Sequence, residues 1–145
     1  IDELWSEVEP AISFAEKTGN YHSLGTFYSF RQFCRSVRGE LGKDGSFDGE
    51  GFSEQVHTEE FADNHMAMCY FYVLRAMSAV IYRDYETAYR VCCYSAPLMP
   101  YITGFYPVAL HNFLYSLSIC KVLSSKKYET ETQVRRELTE TLNEN

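Results

Sequence analysis

Apolar side chains recur every three or four residues along most of this chain, which is the spacing of one face of an α-helix. The first such segment runs from Asp2 to Thr18, with apolar positions at Leu4, Trp5, Val8, Ile12 and Ala15. Gly19 and Asn20 follow it, and both tolerate the left-handed backbone that ends helices. A second helix is predicted from Tyr21 to Arg38, and its apolar residues cover so much of the circumference that we expect an inner position.

Glycine interrupts this pattern between residues 39 and 53, where five glycines alternate with acidic residues. A helix through this segment would carry a large entropic cost, so we predict a loop. Helical periodicity returns from Thr58 to Tyr82, and Met66 to Tyr82 contains one charged residue, Arg75. That apolar run is marginal for crossing a bilayer, and a central arginine makes insertion more costly. A buried helix is therefore the preferred interpretation.

The stretch from Arg83 to Pro100 is predicted to be the turn and second helix of a helical hairpin. Asp84 is a candidate N-cap, and apolar or small residues follow at three- and four-residue intervals. Pro97 and Pro100 should end this helix, because proline cannot continue the backbone hydrogen bonds.

Two further helices complete the pattern. The fifth is predicted from Gly104 to Leu123, and it is apolar nearly all round. The sixth, from Glu129 to Asn143, has a narrow apolar stripe at Val134, Leu138 and Leu142, and Glu131 and Arg135 are spaced to pair on its surface. The chain is thus predicted to be all-α, with about six helices in one domain spanning residues 1–145.

The alternation of short turns and longer loops is typical of an α-solenoid, in which each helical hairpin buries its face against the next. A tetratricopeptide unit of about 34 residues has aromatic, small, turn and proline residues at set positions. The residues that match those types are Tyr72, Ala76, Asp84, Tyr85, Ala88, Ser95 and Pro100. Arg75 departs from the pattern, because a tetratricopeptide unit would place leucine there. We therefore expect antiparallel hairpins that form a degenerate, tetratricopeptide-like solenoid fragment.

The net charge and the cysteine content exclude some classes of binding partner and indicate a redox compartment. A net charge of −7 argues against nucleic-acid partners and acidic lipid surfaces, which require clustered Lys and Arg. The five cysteines contain no CxxC pair and lie mostly in apolar helical patterns, so we expect reduced thiols in the cytoplasm. A redox role for Cys92 and Cys93 stays open. Because Ile1 already lies in helical sequence, we expect the chain to be a segment of a longer protein.

Candidate chemistry is sparse. Asp44, Ser46 and Asp48 match the first half of a calcium-binding EF-hand loop, but Gln55 stands where a bidentate carboxylate would close the site. His65 lies near Asp63 without a second metal ligand one helical turn away. We therefore predict no catalytic residue, no metal site and no cofactor, and a structural role for the loop.

The chain resembles the tetratricopeptide-like linker of large multidomain signalling kinases over roughly Glu9 to Leu123. The segments that carry the resemblance are YHSLGTFYSFRQFCRSVRG, GSFDGEGFSEQ, RDYETAYRVCCYSAPLM and GFYPVALHNFLYSLSICKVL. Such proteins combine a serine/threonine kinase-like domain, an AAA-type ATPase, a helical arm, and GAF or PAS sensor and histidine kinase modules. The resemblance implies a non-catalytic arm whose partners are the flanking ATPase and sensor-kinase domains.

Three functional hypotheses follow. The first is a regulatory scaffold that couples an ATPase module to sensor and kinase modules. The second is a peptide- or protein-binding module with a concave groove, whose candidate residues are Tyr70, His111, Asn112 and Tyr115. For His111, a hydrogen-bonded position in the core is the more frequent outcome. The third, less favoured, is a small-molecule or calcium sensor.

Overall fold

The computed structural model of the chain describes residues 1–42, 45–124 and 132–144. The α-helices in these ranges are α1 Asp2–Thr18, α2 Tyr21–Val37, α3 Glu54–Glu60, α4 His65–Ile81, α5 Tyr85–Ser95, α6 Tyr106–Leu123 and α7 Thr132–Glu144. A 3-10 helix, Ala96–Ile102, continues directly from α5. The described ranges contain no β-strand, so the predicted all-α class is confirmed.

The prediction of one helix from Thr58 to Tyr82 is wrong, because two helices, α3 and α4, divide this segment. Asn64 caps α4 by accepting a hydrogen bond from the backbone N–H of Ala67 (3.1 Å). Its side chain also donates to the carbonyl of His22 in α2 (2.7 Å), which fixes the turn against that helix. Capping by asparagine competes with continuation of the helix and explains the break.

Helix α4 is the most connected element of the fold. It packs against both α2 and α5, and it also contacts α6 and the 3-10 helix. Ten of its 17 residues are buried, so the apolar run of this segment packs in the core, as predicted. Within the described ranges, no helix is long and apolar enough to cross a membrane.

Small side chains let α4 and α5 approach closely. Ala76 of α4 and Ala88 of α5 are both fully buried, and Ala76 belongs to the core cluster shared by these helices and α6. Asp84 caps α5 by accepting a hydrogen bond from the backbone N–H of Thr87 (3.0 Å). Because a three-residue turn joins the packed helices, α5 runs back along α4 as a hairpin.

The described residues of the glycine-rich loop contain no helix and are attached to the core. Phe47 is fully buried, and its carbonyl accepts a hydrogen bond from the Gln32 amide of α2 (3.0 Å). Gly45 has a φ of 72°, and its carbonyl accepts a bond from Ser78 of α4 (3.0 Å). The loop therefore holds α2 and α4 together.

The carboxyl-terminal helices follow the predicted order. Helix α5 ends before Pro97, as predicted, although the chain then continues as the 3-10 helix. Helix α7 packs against α6 and buries Leu138. Glu131 lies outside the described residues, and so does the side chain of Arg135, so their predicted pairing stays a prediction. On the surface of α7, Arg136 pairs with Glu140 (2.9 Å).

Candidate functional site

Two of the four predicted groove residues, His111 and Tyr115, come together on α6 but lie in the core. Their ring centroids are 5.4 Å apart, and both side chains are buried. His111 Nδ1 lies 2.9 Å from the Ser95 hydroxyl, and the Tyr115 hydroxyl lies 3.5 Å from Cys93 Sγ. Burial lowers the pKa of His111 and raises the pKa of Tyr115. These side chains join α6 to α5 and do not line an open groove.

The other two predicted groove residues lie elsewhere. Tyr70 is half-buried, and its ring packs against Phe30 of α2 with centroids 5.7 Å apart. Asn112 is exposed on α6, next to the buried His111. The four residues therefore do not form one surface, because α5 covers the face of α6 that carries His111.

The predicted hairpin residues lie along the contact between α4 and its neighbours. Asp84 is the N-cap of α5, Ser95 is fully buried at its end, and Pro100 lies in the 3-10 helix. The partly buried members are Tyr72 and Tyr85, and the fully buried ones are Ala76 and Ala88. The six residues other than the exposed Pro100 have packing and capping roles.

The cysteines are all free thiols, and three of them are buried. Burial raises the pKa of Cys92 to about 12, with a smaller contribution from its neighbour Cys93. Burial also raises the pKa of Cys69 to about 11. A thiolate is the reactive form of cysteine, so Cys69 and Cys92 are poor nucleophiles.

The oxygen atoms of the glycine-rich loop are engaged with α3. Asp48 Oδ1 accepts a hydrogen bond from the backbone N–H of Glu54 (2.7 Å), and the Ser46 hydroxyl donates to Glu54 Oε1 (3.3 Å). Asp44, the first residue of the EF-hand match, lies outside the described residues. Within the described ranges, no group of three or more His, Cys, Asp or Glu side chains is placed to hold a metal ion.

An open cleft of about 670 Å³ lies where the start of α2, the turn between α3 and α4, and the 3-10 helix meet. We call it the tyrosine cleft; its lining includes Tyr21, Glu60, Asp63, His65, Met66 and Tyr101. Because α5 runs back along α4, the 3-10 helix that follows it returns to the beginning of α4. The Tyr101 ring therefore stacks on His65, with centroids 4.1 Å apart.

The tyrosine cleft combines exposed aromatic rings with carboxylates. Tyr21 and Tyr101 are 70% and 60% exposed, and exposed aromatic groups in a cleft are typical of interaction sites. Glu60 and Asp63 line the same cleft. Aromatic faces attract cations, and carboxylates form charge-assisted hydrogen bonds with them. The cleft can therefore accept a lysine or arginine side chain.

Sequence reasoning found part of this cleft and missed the rest. It singled out His65 and Asp63, and His65 is the first residue of α4. It missed Tyr21 and Tyr101, which are 80 positions apart in the sequence. The usable signal was their position at the ends of predicted helices, where side chains are commonly exposed.

Comparison with known proteins adds no relative. No protein-family model, no curated protein and no solved structure matches this chain. The resemblance to the linker of signalling kinases therefore stays a prediction from the sequence.

Proposed function

We propose that this chain is a non-catalytic helical scaffold that binds a basic segment of a protein partner in the tyrosine cleft. The observation that carries this proposal is that the exposed Tyr21 and Tyr101 rings line the same cleft as the carboxylates of Glu60 and Asp63. A cationic side chain in this cleft would gain binding free energy from the aromatic rings and from the carboxylates. The net charge of −7 would also attract a basic partner and speed its association.

The form of the cleft also suits recognition. Its volume of about 670 Å³ is within the usual range for ligand sites. Stacking on His65 holds the Tyr101 ring before any ligand arrives. A pre-positioned ring loses less conformational entropy on binding, which favours affinity.

The resemblance found in the sequence supplies a cellular context for this scaffold. In that context the chain is a tetratricopeptide-like segment of a cytoplasmic signalling kinase, and its partners are the flanking ATPase and sensor-kinase modules. The succession of contacts from α1 to α2, α4, α5 and α6 supports the solenoid part of the proposal, because neighbouring helices pack in order. Deleting this segment from such a parent should abolish ATPase-dependent regulation of kinase activity, and unchanged regulation would contradict the coupling role.

Binding in the cleft can be measured directly on this chain. The probe is a fluorescein-labelled Gly-Ser peptide that carries several lysines. Its binding is measured by fluorescence anisotropy at low ionic strength. Binding is expected to weaken with added salt, because the charges of an open cleft are screened. Tyr101→Ala and the double variant Glu60→Gln, Asp63→Asn should each weaken binding about tenfold, the effect of losing one cation–π contact or charged pair.

Two controls make the result specific. A peptide with glutamine in place of every lysine should not bind. Phe113→Ala removes an equally exposed aromatic ring from α6, outside the cleft, and should bind as the unaltered chain does. Equal binding by Tyr101→Ala and the unaltered chain would refute the cleft as the recognition site.

A further inference from the structure

Arg75 interrupts the apolar surface of α4 with a charge that the scaffold role does not use. Its residue exposure is 7%, and its Nε donates a hydrogen bond to Glu54 Oε1 (2.7 Å). The guanidinium carbon also lies 5.9 Å from the centroid of the Phe47 ring. A buried arginine in this position needs an explanation, because leucine would satisfy the packing of a tetratricopeptide unit.

The hydrogen-bonding capacity of this arginine is only partly used. Its Nη1 atom is buried and has no acceptor among the described residues. Arg75 shares Glu54 Oε1 with two other donors, the backbone N–H of Phe47 (2.6 Å) and the Ser46 hydroxyl (3.3 Å). Native structures rarely leave a buried donor unpaired, so this nitrogen calls for an acceptor, which an ordered water or a ligand would supply.

Arg75 lines a cavity of about 320 Å³ between α3, α4 and α5. We call it the arginine cavity; its lining includes Glu54, Thr58, Tyr72, Arg75, Arg90 and Tyr94. Two arginines and one glutamate give these side chains a net positive charge in a chain whose total is −7. Arg90 is exposed, and its Nη2 donates to the Thr87 hydroxyl of its own helix (3.3 Å).

We propose that the arginine cavity binds a small oxyanion group, a phosphate or a carboxylate. Both groups present several acceptor oxygens, and a guanidinium donates to them in a fixed, planar arrangement. Arg75 supplies a positive charge of low solvent exposure, and the exposed Arg90 supplies a second one. The Tyr72 and Tyr94 rings, with centroids 5.8 Å apart, flank the site and offer contact to an aromatic or apolar portion of the ligand.

The test uses two probes that share an aromatic ring and differ in the anion: phenyl phosphate and benzoate. Each is titrated into the chain by calorimetry at low ionic strength, with the thermal midpoint as a second readout. At least one probe should bind and raise the midpoint. Arg90→Gln should weaken binding about tenfold, as expected for loss of a hydrogen bond to a charged group. Phenyl phosphate binding alone identifies a phosphate site, and comparable binding of both identifies a general oxyanion site.

The variants separate a binding role from a structural one. Arg75→Lys keeps the charge, loses the planar donors and should weaken binding, whereas Arg90→Gln changes an exposed residue and leaves the core intact. Lys17→Gln removes the same charge from an exposed position on α1 and should not change binding. The proposal is overturned if neither probe binds, or if Arg90→Gln binds as tightly as the unaltered chain. These probes are anions, so their outcome is independent of lysine-peptide binding in the tyrosine cleft.

Discussion

His57 makes the stability of this fold depend on pH above the range where carboxylates titrate. Its side chain is 3% exposed, and its ring lies about 5 Å from the rings of Phe52, Phe61 and Phe71. One ring nitrogen, Nε2, lies 3.3 Å from the Ser29 hydroxyl, which already donates to the Gly25 carbonyl. Burial among these rings lowers the pKa of His57 from 6.5 to about 4.

The sign and size of the effect follow from proton linkage. The unfolded chain protonates His57 near pH 6.5, whereas the folded chain resists protonation until about pH 4. The stabilising contribution is therefore fully present above pH 6.5 and is lost as the pH falls towards 4. Between pH 7 and pH 5 the loss is about 2 kcal/mol for this histidine. Burial lowers the pKa of His111 too, so it contributes with the same sign.

The assay is urea unfolding followed by far-ultraviolet circular dichroism at several pH values between 7 and 5. His57→Leu should remove about 2 kcal/mol of the pH-dependent change in unfolding free energy, because the titrating group is gone. The two chains are compared by the slope of the unfolding free energy against pH, so a change in absolute stability does not affect the result. Gln55→Leu, an exposed position on the same helix, is the matched control and should keep the full slope. An equal slope in His57→Leu and the unaltered chain would refute the reasoning.

Two further predictions concern packing and thiol reactivity. Gly25→Ala should lower the unfolding free energy by about 1–3 kcal/mol through overpacking, although alanine ordinarily favours helices. The added Cβ would lie 2.7 Å from the Phe61 ring and 3.1 Å from Ala67 Cβ, which is too close without a shift of these side chains. Urea unfolding measures the effect, and a variant as stable as the unaltered chain would contradict the overpacking. In the native chain a thiol reagent should modify the exposed Cys120 quickly and Cys92 only on unfolding, as followed by mass spectrometry; rapid modification of Cys92 would contradict its burial.

Local signals in the sequence located most helix boundaries. The bounds of α1 match the prediction, and Gly19 ends that helix in the left-handed conformation expected of glycine. Asp84 and the prolines after Ser95 likewise bound α5 as predicted. These boundaries depend on the conformational preferences of one or two residues, so the identity of those residues is enough to predict them.

The orientation of helix faces depends on distant parts of the chain. Helix α6 is apolar nearly all round, so its periodicity does not select the face that meets α5. The His111 contact with Ser95 settles that orientation, and it places His111 in the core. The meeting of Tyr101 and Tyr21 in one cleft similarly requires the return of α5 along α4, which no local pattern encodes.

The break between α3 and α4 had the largest consequence, because both proposed sites depend on it. The short helix α3 supplies Glu54 and Thr58 to the arginine cavity and Glu60 to the tyrosine cleft. A continuous helix would lack the turn that carries Asp63 into the cleft and would remove Asn64 from its contact with α2. An asparagine cap in an otherwise helical pattern is therefore the feature from which the functional geometry of this fold follows. The two sites attract opposite charges, but they share one structural origin in the α3–α4 turn.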